Sequence, residues 1–326
     1  MKKEKGCIGM YIGIDIGGTK CAVTLGDGEG NIKDKIRFDT GGFDETLENI
    51  FNAAEKLGAC SVSAIGISCG GPLDSEKGVI MSPPNLPGWD NVPIVKMLED
   101  KFGVPAAIQN DANACALAEH KFGAGKGTKN MVFFTFGTGL GAGLILDGRL
   151  YSGTNDMAGE VGHIRLEPHG PVGFGKAGSF EGFCSGNGIA QIGRYKALEY
   201  FQCGKKVSYC DSINDLDNIT AKKIAECAYS GDELSKEVYK ICAEKLGKSI
   251  AMLTDVLNPE LFVIGSIYGR CRELLEPTVM EIVEKEALDY SRKVCRIVPA
   301  GLGEKIGDYA ALAVAASIEE KEEKIC

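Results

Sequence analysis

The sequence lacks any apolar run approaching the roughly 18 residues that a membrane-spanning helix requires, so a bilayer-embedded chain is not expected. It lacks a basic excess: 36 Lys and Arg against 45 Asp and Glu leave a net charge of −9. That balance argues against an electrostatic surface for nucleic acid or an anionic membrane. It also lacks any C-x-x-C pair. The 13 cysteines are scattered and odd in number, unlike a secreted disulfide framework or the close ligand pairs of a metal cluster. They read as small apolar core residues in a reducing compartment. The opening MKKEKG is basic, but the strand after it meets Asp15 too soon to form a signal-peptide core. A cytoplasmic protein is expected, without membrane or nucleic-acid partners. What is present is an ordinary globular composition, 44% hydrophobic and 25% charged over 326 residues, long enough that two domains are expected.

Residues 10–38 alternate apolar and polar positions around two turns and predict an antiparallel meander. Phe43, Leu47, Ile50, Phe51, Ala54 and Leu57 recur at helical spacing. A strand over 63–68 runs into Cys69-Gly70-Gly71-Pro72, and the loop SPPNLPGWDNVP that follows carries the only Trp. A helix is expected over 94–102, a strand over 105–109 and a helix over 112–122. Residues 131–151 form a second strand–glycine turn–strand unit. Residues 163–188, full of Gly and Pro, read as an ordered loop. Helices are then expected over 189–201, 220–230, 232–257 and 272–288, with strands over 261–265 and 294–299. A last helix over 306–319 would end in the charged EEKEEK as a solvated terminus.

The two strand–turn–strand units, Asp15-Ile-Gly-Gly-Thr-Lys20 and Phe136-Gly-Thr-Gly-Leu-Gly-Ala-Gly143, predict a duplicated α/β domain. Both glycine turns would then face one interdomain cleft, a favoured place for ligands. Gly137-Thr138-Gly139-Leu140-Gly141-Ala142 matches the dinucleotide fingerprint letter for letter, but that motif must open a helix. Here Leu144-Ile145-Leu146-Asp147-Gly148 continues as strand into a hairpin turn. Without a helix dipole, phosphate would be held by backbone N–H groups and by hydroxyls such as Thr19 and Thr138, with glycines permitting the close approach. At the strand-to-helix junction Gln109-Asn110-Asp111-Ala112-Asn113, Asp111 reads either as an N-cap or as a general base at the carboxyl end of a strand. Glu160-Val161-Gly162-His163 carries a loop histidine that is structural or functional on the same terms.

Taken in order, Asp15-Ile-Gly-Gly-Thr-Lys20, Asn85-Leu-Pro-Gly-Trp89, Asn110-Asp-Ala-Asn113, Gly137-Thr-Gly-Leu-Gly141, Glu160-Val-Gly-His163 and Asn258-Pro-Glu-Leu-Phe-Val-Ile-Gly265 resemble the signature set of the ROK (repressor, ORF, kinase) family of sugar kinases. The resemblance spans essentially the whole chain. It implies an α/β fold of duplicated actin/hexokinase-like (ribonuclease H-like) domains, expected here as residues 1–113 plus 303–326 and residues 114–302. It further implies that the two hairpins grip ATP, with Asp15, Gly17, Gly18, Thr19 and Lys20 on one side and Thr138 and Gly139 on the other. Gly265 would lie near adenine, and Asp15 would hold Mg²⁺ through water. Asp111 matches the family's catalytic base. Gly71, Asn85, Asn110, Glu160, His163 and Glu181 match positions around the sugar.

One segment departs from the family pattern. The family's structural-zinc cysteines correspond here to Val172, Phe174 and Ser179, so no structural zinc is expected and His163 would serve the sugar alone. Ser266 also stands where a second glycine is usual after Gly265. The resemblance implies ATP-dependent phosphorylation of a hexose, glucose or an N-acetylhexosamine, at O6, by a homodimer. A polyphosphate donor would want a basic track, against which the acidic balance weighs. A family repressor would carry a DNA-binding domain ahead of the first hairpin, where nine residues precede Met10. A non-catalytic sugar-binding protein would have no need of Asp111.

Overall fold

A computed structural model describes residues 9–323; the basic opening MKKEKG lies outside them. The first half runs β1 (Met10–Ile16), β2 (Lys20–Asp27), β3 (Ile32–Asp39), α1 (Phe43–Lys56), β4 (Ala64–Cys69), β5 (Leu73–Asp74), β6 (Val79–Ile80), α2 (Ile94–Phe102), β7 (Ala106–Asn110) and α3 (Asp111–Phe122). The second runs β8 (Met131–Phe136), β9 (Leu140–Leu146), β10 (Arg149–Tyr151), β11 (Val172–Gly173), β12 (Lys176–Ala177), α4 (Phe180–Phe183), α5 (Gly186–Gln202), α6 (Ala221–Tyr229) and α7 (Glu233–Leu257). It closes with β13 (Leu261–Ile264), α8 (Ile267–Arg270), α9 (Arg272–Glu286), α10 (Asp289–Val294), β14 (Arg296–Pro299) and α11 (Ile306–Glu323).

Two five-stranded sheets carry the fold, ordered β3-β2-β1-β4-β7 and β10-β9-β8-β13-β14. In each, an antiparallel meander supplies three strands and two parallel strands extend it. The same order from both halves is the duplication that the glycine turns predicted. The central strands are largely apolar: β4 is buried at every position, as a strand covered on both faces must be. Ile12, Ile14, Ile65 and Ile67 pack with Ile50 and Trp89 in one core, while Phe134, Phe136, Phe180 and Phe262 anchor another. Trp89 meets Phe43 edge to face at 5.1 Å, which seats the Pro-rich loop on the first core.

Two helices join the halves. α11 lies across β1 and β4 and also against α3, and α3 packs in turn on β8 and β9. The alanine-rich face of α11 approaches so closely that a Cβ on Gly66 would fall 2.1 Å from the Ala311 carbonyl. Glu119 of α3, fully buried, accepts hydrogen bonds from the backbone N–H groups of Ala124, Gly301 and Leu302 at 2.8, 3.1 and 2.9 Å. It ties α3 to the entry of α11.

The elements differ from the sequence reading in several places, among them the β5–β6 hairpin and α8, which are too short to show a repeat. Residues 163–188 are not featureless: a short 3₁₀ turn, the β11–β12 hairpin and α4 occupy them, held by side-chain contacts that periodicity does not register. α10, too short to display a helical repeat, was not foreseen. α11 continues through most of EEKEEK to Glu323. All eleven cysteines among the described residues are free; Cys60 and Cys203 are exposed and the others buried or partly so.

Candidate active site

The first glycine turn, Gly17-Gly18-Thr19, joins β1 to β2, and Gly137-Thr138-Gly139 joins β8 to β9. Each is closed by backbone pairing, Gly17 N–H to the Lys20 carbonyl at 3.2 Å and Gly137 N–H to the Gly139 carbonyl at 3.1 Å. Because Leu140–Leu146 pairs antiparallel with β8, the fingerprint G-x-G-x-x-A is a hairpin here and not a helix entry. Thr19, Lys20 and Thr138 are exposed at these turns. Gly265 lines a separate cavity of about 220 Å³.

A larger cavity of about 500 Å³ lies between the two halves and is lined by Gly71, Asn110, Asp111, Glu160, His163 and Glu181 among others. Six of the seven positions expected around the sugar therefore share one space. Asn85 does not line it. Its backbone instead closes on the first hairpin, where a Cβ on Gly18 would lie 2.7 Å from the Asn85 carbonyl.

The structure shows which residue caps α3. Asn110, not Asp111, is the N-cap: its side-chain oxygen accepts from Asn113 N–H at 2.8 Å. Asp111 occupies the first helical position, accepts from the adjacent Ala112 N–H, and lines the cavity. Although open to the cleft, it is enclosed by the cavity walls, and this desolvation pushes its pKa up, opposed by the neighbouring N–H groups. Burial pushes Asp15 up to about 6, with the charges of Asp111 and Asp308 adding to the effect and Lys35 and Arg37 opposing it. Glu160 is raised as well, first by desolvation and then by Asp111, while His163 pulls it down and Glu181 pushes it up. Glu181 also accepts from Leu140 N–H at 3.0 Å, linking the large cavity to the second hairpin.

Asp308 was not foreseen. It sits in the first turn of α11, ion-paired with Lys35 of β3 and 3.5 Å from Arg37, and its charge reaches Asp15. No local pattern marks it, since the partners are about 270 residues apart. Asp156, which lines the cavity, was missed likewise: it accepts from Ser75 N–H and Oγ at 2.6 and 2.7 Å.

Among the described residues no group of three or more His, Cys, Asp or Glu is arranged as a metal cage. Carboxylate oxygen beside an open hairpin, in surplus negative charge, nonetheless fits Mg²⁺, which keeps several waters and takes other ligands from phosphate. The segment 163–181 does not fit tetrahedral zinc. Val172 and Phe174 are exposed hydrophobics, Ser179 caps α4 by accepting from Gly182 N–H at 3.1 Å, and the Cys184 thiol is turned into the core towards the Cys242 carbonyl. Hydrogen bonds hold the segment instead. Gln191 accepts from Val172 N–H and donates to its carbonyl, both at 2.9 Å, and Lys176 donates to the His163 carbonyl at 2.7 Å.

Two like-ordered α/β halves, a glycine hairpin from each and a carboxylate-lined cavity between them define the actin/hexokinase-like class. Within it, this chain belongs to the ROK family, whose model matches residues 11–318. It is 31% identical over 307 residues to a glucokinase of Streptomyces coelicolor, covering 92% of this chain and 95% of that protein. It is 30% identical over 293 residues to a xylose repressor of Caldicellulosiruptor bescii, covering 86% of this chain and 71% of that protein. The crystal structure of a ROK family glucokinase from Streptomyces griseus in complex with glucose and AMPPNP matches with a TM-score of 0.74 at 29% identity, covering 95% of this chain and all of that one.

Proposed function

We propose that this protein is an ATP-dependent hexose kinase with Asp111 as general base. The observation that carries the reading is the release of Asp111 from capping: a desolvated carboxylate faces the large cavity, with its charge felt at the hairpin carboxylate Asp15. A sugar hydroxyl, O6, donates its proton to Asp111 as it attacks the γ-phosphorus of ATP, and the bond from that phosphorus to the bridging oxygen breaks to release ADP. Asn110, Glu160, His163 and Glu181 orient the sugar from the cavity wall. The N–H groups of both hairpins, with Thr19 and Thr138, receive the phosphates, and Lys20 adds positive charge. Mg²⁺ held near Asp15 would offset the phosphate charge. Positioning and electrostatic stabilisation supply most of the acceleration in such a transfer. The glucokinase relative and the glucose- and AMPPNP-bound neighbour support the substrate class and donor.

We propose further that residues 1–113 with 303–326 move as one body against 114–302 and close over substrate, excluding water. A sugar-binding regulator is the second reading, favoured by the xylose-repressor relative. A coupled assay over a panel of hexoses with ATP and Mg²⁺ separates the two, and Asp111→Asn tests the base. Loss of general-base catalysis lowers turnover by roughly 10²–10⁴-fold, while calorimetry should find hexose still bound. A variant that retains more than about a tenth of the turnover would leave Asp111 without a role in proton transfer.

A further inference from the structure

Phe174 is an anomaly by three independent measures. It forms the turn between β11 and β12 with Gly175, and both residues have positive φ, +43° and +74°. A two-residue hairpin turn of that kind favours Asn-Gly or Gly-Gly and disfavours a bulky aromatic at its first position. The side chain is 84% exposed, the second most exposed of the large hydrophobics among the described residues. Core packing does not hold it there: its ring makes an edge-to-face approach to His163, with centroids 6.4 Å apart. The backbone beneath is firmly tied, by Gln191 to Val172, by Lys176 to the His163 carbonyl and by Arg165 to the Ala177 carbonyl. The hairpin would therefore keep its shape with a smaller residue at its tip.

Local preference and solvent exposure both count against phenylalanine here, and the cavity supplies a reason for it. Phe174 and Met157, itself 52% exposed, line the large cavity together with Leu73. Asp111, Glu160 and His163 line the same space. The lining of this cavity therefore offers both polar and apolar side chains. A pyranose has the matching anatomy, hydroxyls around its rim and C–H groups on its faces, and aromatic rings are favoured apolar partners of rigid ligands.

We infer that Phe174 is a specificity-determining residue that covers the C–H face of a bound hexopyranose. This rests on the sugar reading of the cavity. The hairpin delivers the ring, and His163 backs it. The ring contributes to sugar affinity and to the choice among hexopyranoses, and leaves nucleotide binding untouched.

The test uses the full chain with Phe174→Asn, which suits the turn better, and Phe174→Tyr, which keeps the ring. Michaelis constants for glucose, N-acetylglucosamine, N-acetylmannosamine and ATP are measured, with calorimetric sugar binding in the absence of nucleotide and thermal unfolding of each variant. Phe174→Asn should weaken sugar binding and raise the sugar KM about 5- to 10-fold. The ATP KM should be unchanged and the unfolding temperature unchanged or higher, and Phe174→Tyr should restore sugar affinity. Sugar affinity within about twofold of wild type in Phe174→Asn would overturn the inference, leaving the ring to some other surface. So would a joint rise in both Michaelis constants with lowered stability, which would mark a structural residue. If the wild-type chain binds and phosphorylates none of the panel, the kinase reading itself falls and this inference with it.

Discussion

Asp111 and Asp15 carry opposite demands on one pair of carboxylates. As a base, Asp111 must be ionised, yet the folded protein holds its proton above the ordinary value of 3.8. Turnover should accordingly fall on the acid side at a pH above that value, and a pH–rate profile of kcat/KM checks it. Asp15 is raised from 3.8 to about 6, so the folded state binds its proton more tightly than the unfolded chain does. The sign follows: below the ordinary carboxylate range the group costs nothing, and above about pH 6 its ionised form opposes folding. Asp15→Asn should therefore stabilise the metal-free protein at pH 8 and do little at pH 3.5. A gain of about 1–2 kcal/mol is expected, short of the roughly 3 that the full shift would imply, because relaxation and water entry soften such penalties. Denaturant titrations at the two pH values decide it. No gain at pH 8 would mean that Lys35 and Arg37 already neutralise the site. The same variant should lose kinase activity, the usual trade of stability for function.

At the scale of elements, the weight falls on α3 and α11. Three backbone N–H groups from two separate segments converge on the Glu119 carboxylate. Glu119→Ala leaves them without their acceptor and should cost about 3 kcal/mol or more, read as a lower denaturation midpoint with the fold retained. Glu119→Gln keeps one acceptor oxygen and should cost less. Equal stability of the alanine variant would show that water replaces the carboxylate. The segment 163–181 makes a contrasting case. Its order comes from Gln191, Lys176 and the Ser179 cap, interactions between residues whose pairing no periodicity announces, which is why it reads as loop in the sequence.

For the whole molecule, the feature that matters is the cavity between the halves and the contacts that join the halves beside it. Ser75 of the first half and the cavity-lining Asp156 of the second are joined by two hydrogen bonds. If the proposed bodies close on sugar, small-angle scattering should record a smaller radius of gyration with saturating hexose. Asp156→Ala should reduce that change and raise the sugar KM by about 3- to 10-fold, the worth of one or two hydrogen bonds to a charged group after solvent competition. An unchanged radius with sugar verified as bound would argue for a cleft already closed.

The sequence by itself determined the duplicated α/β plan, because strands buried on both faces and tight glycine turns leave apolar runs and glycines that are readable locally. It also marked six of the residues that line the large cavity, in short motifs such as Asn110-Asp111 and Glu160-Val-Gly-His163. Tertiary structure alone decided that Asn110 takes the cap and leaves Asp111 free, since a cap depends on which side chain the strand end aims at the helix. It decided that Asp308, brought to Asp15 by α11, shares its electrostatics, and that Phe174 stands in the cavity rim rather than in a core. Charge coupling and burial depend on distance in space, and residues remote in sequence carry no mark of it until the chain has folded.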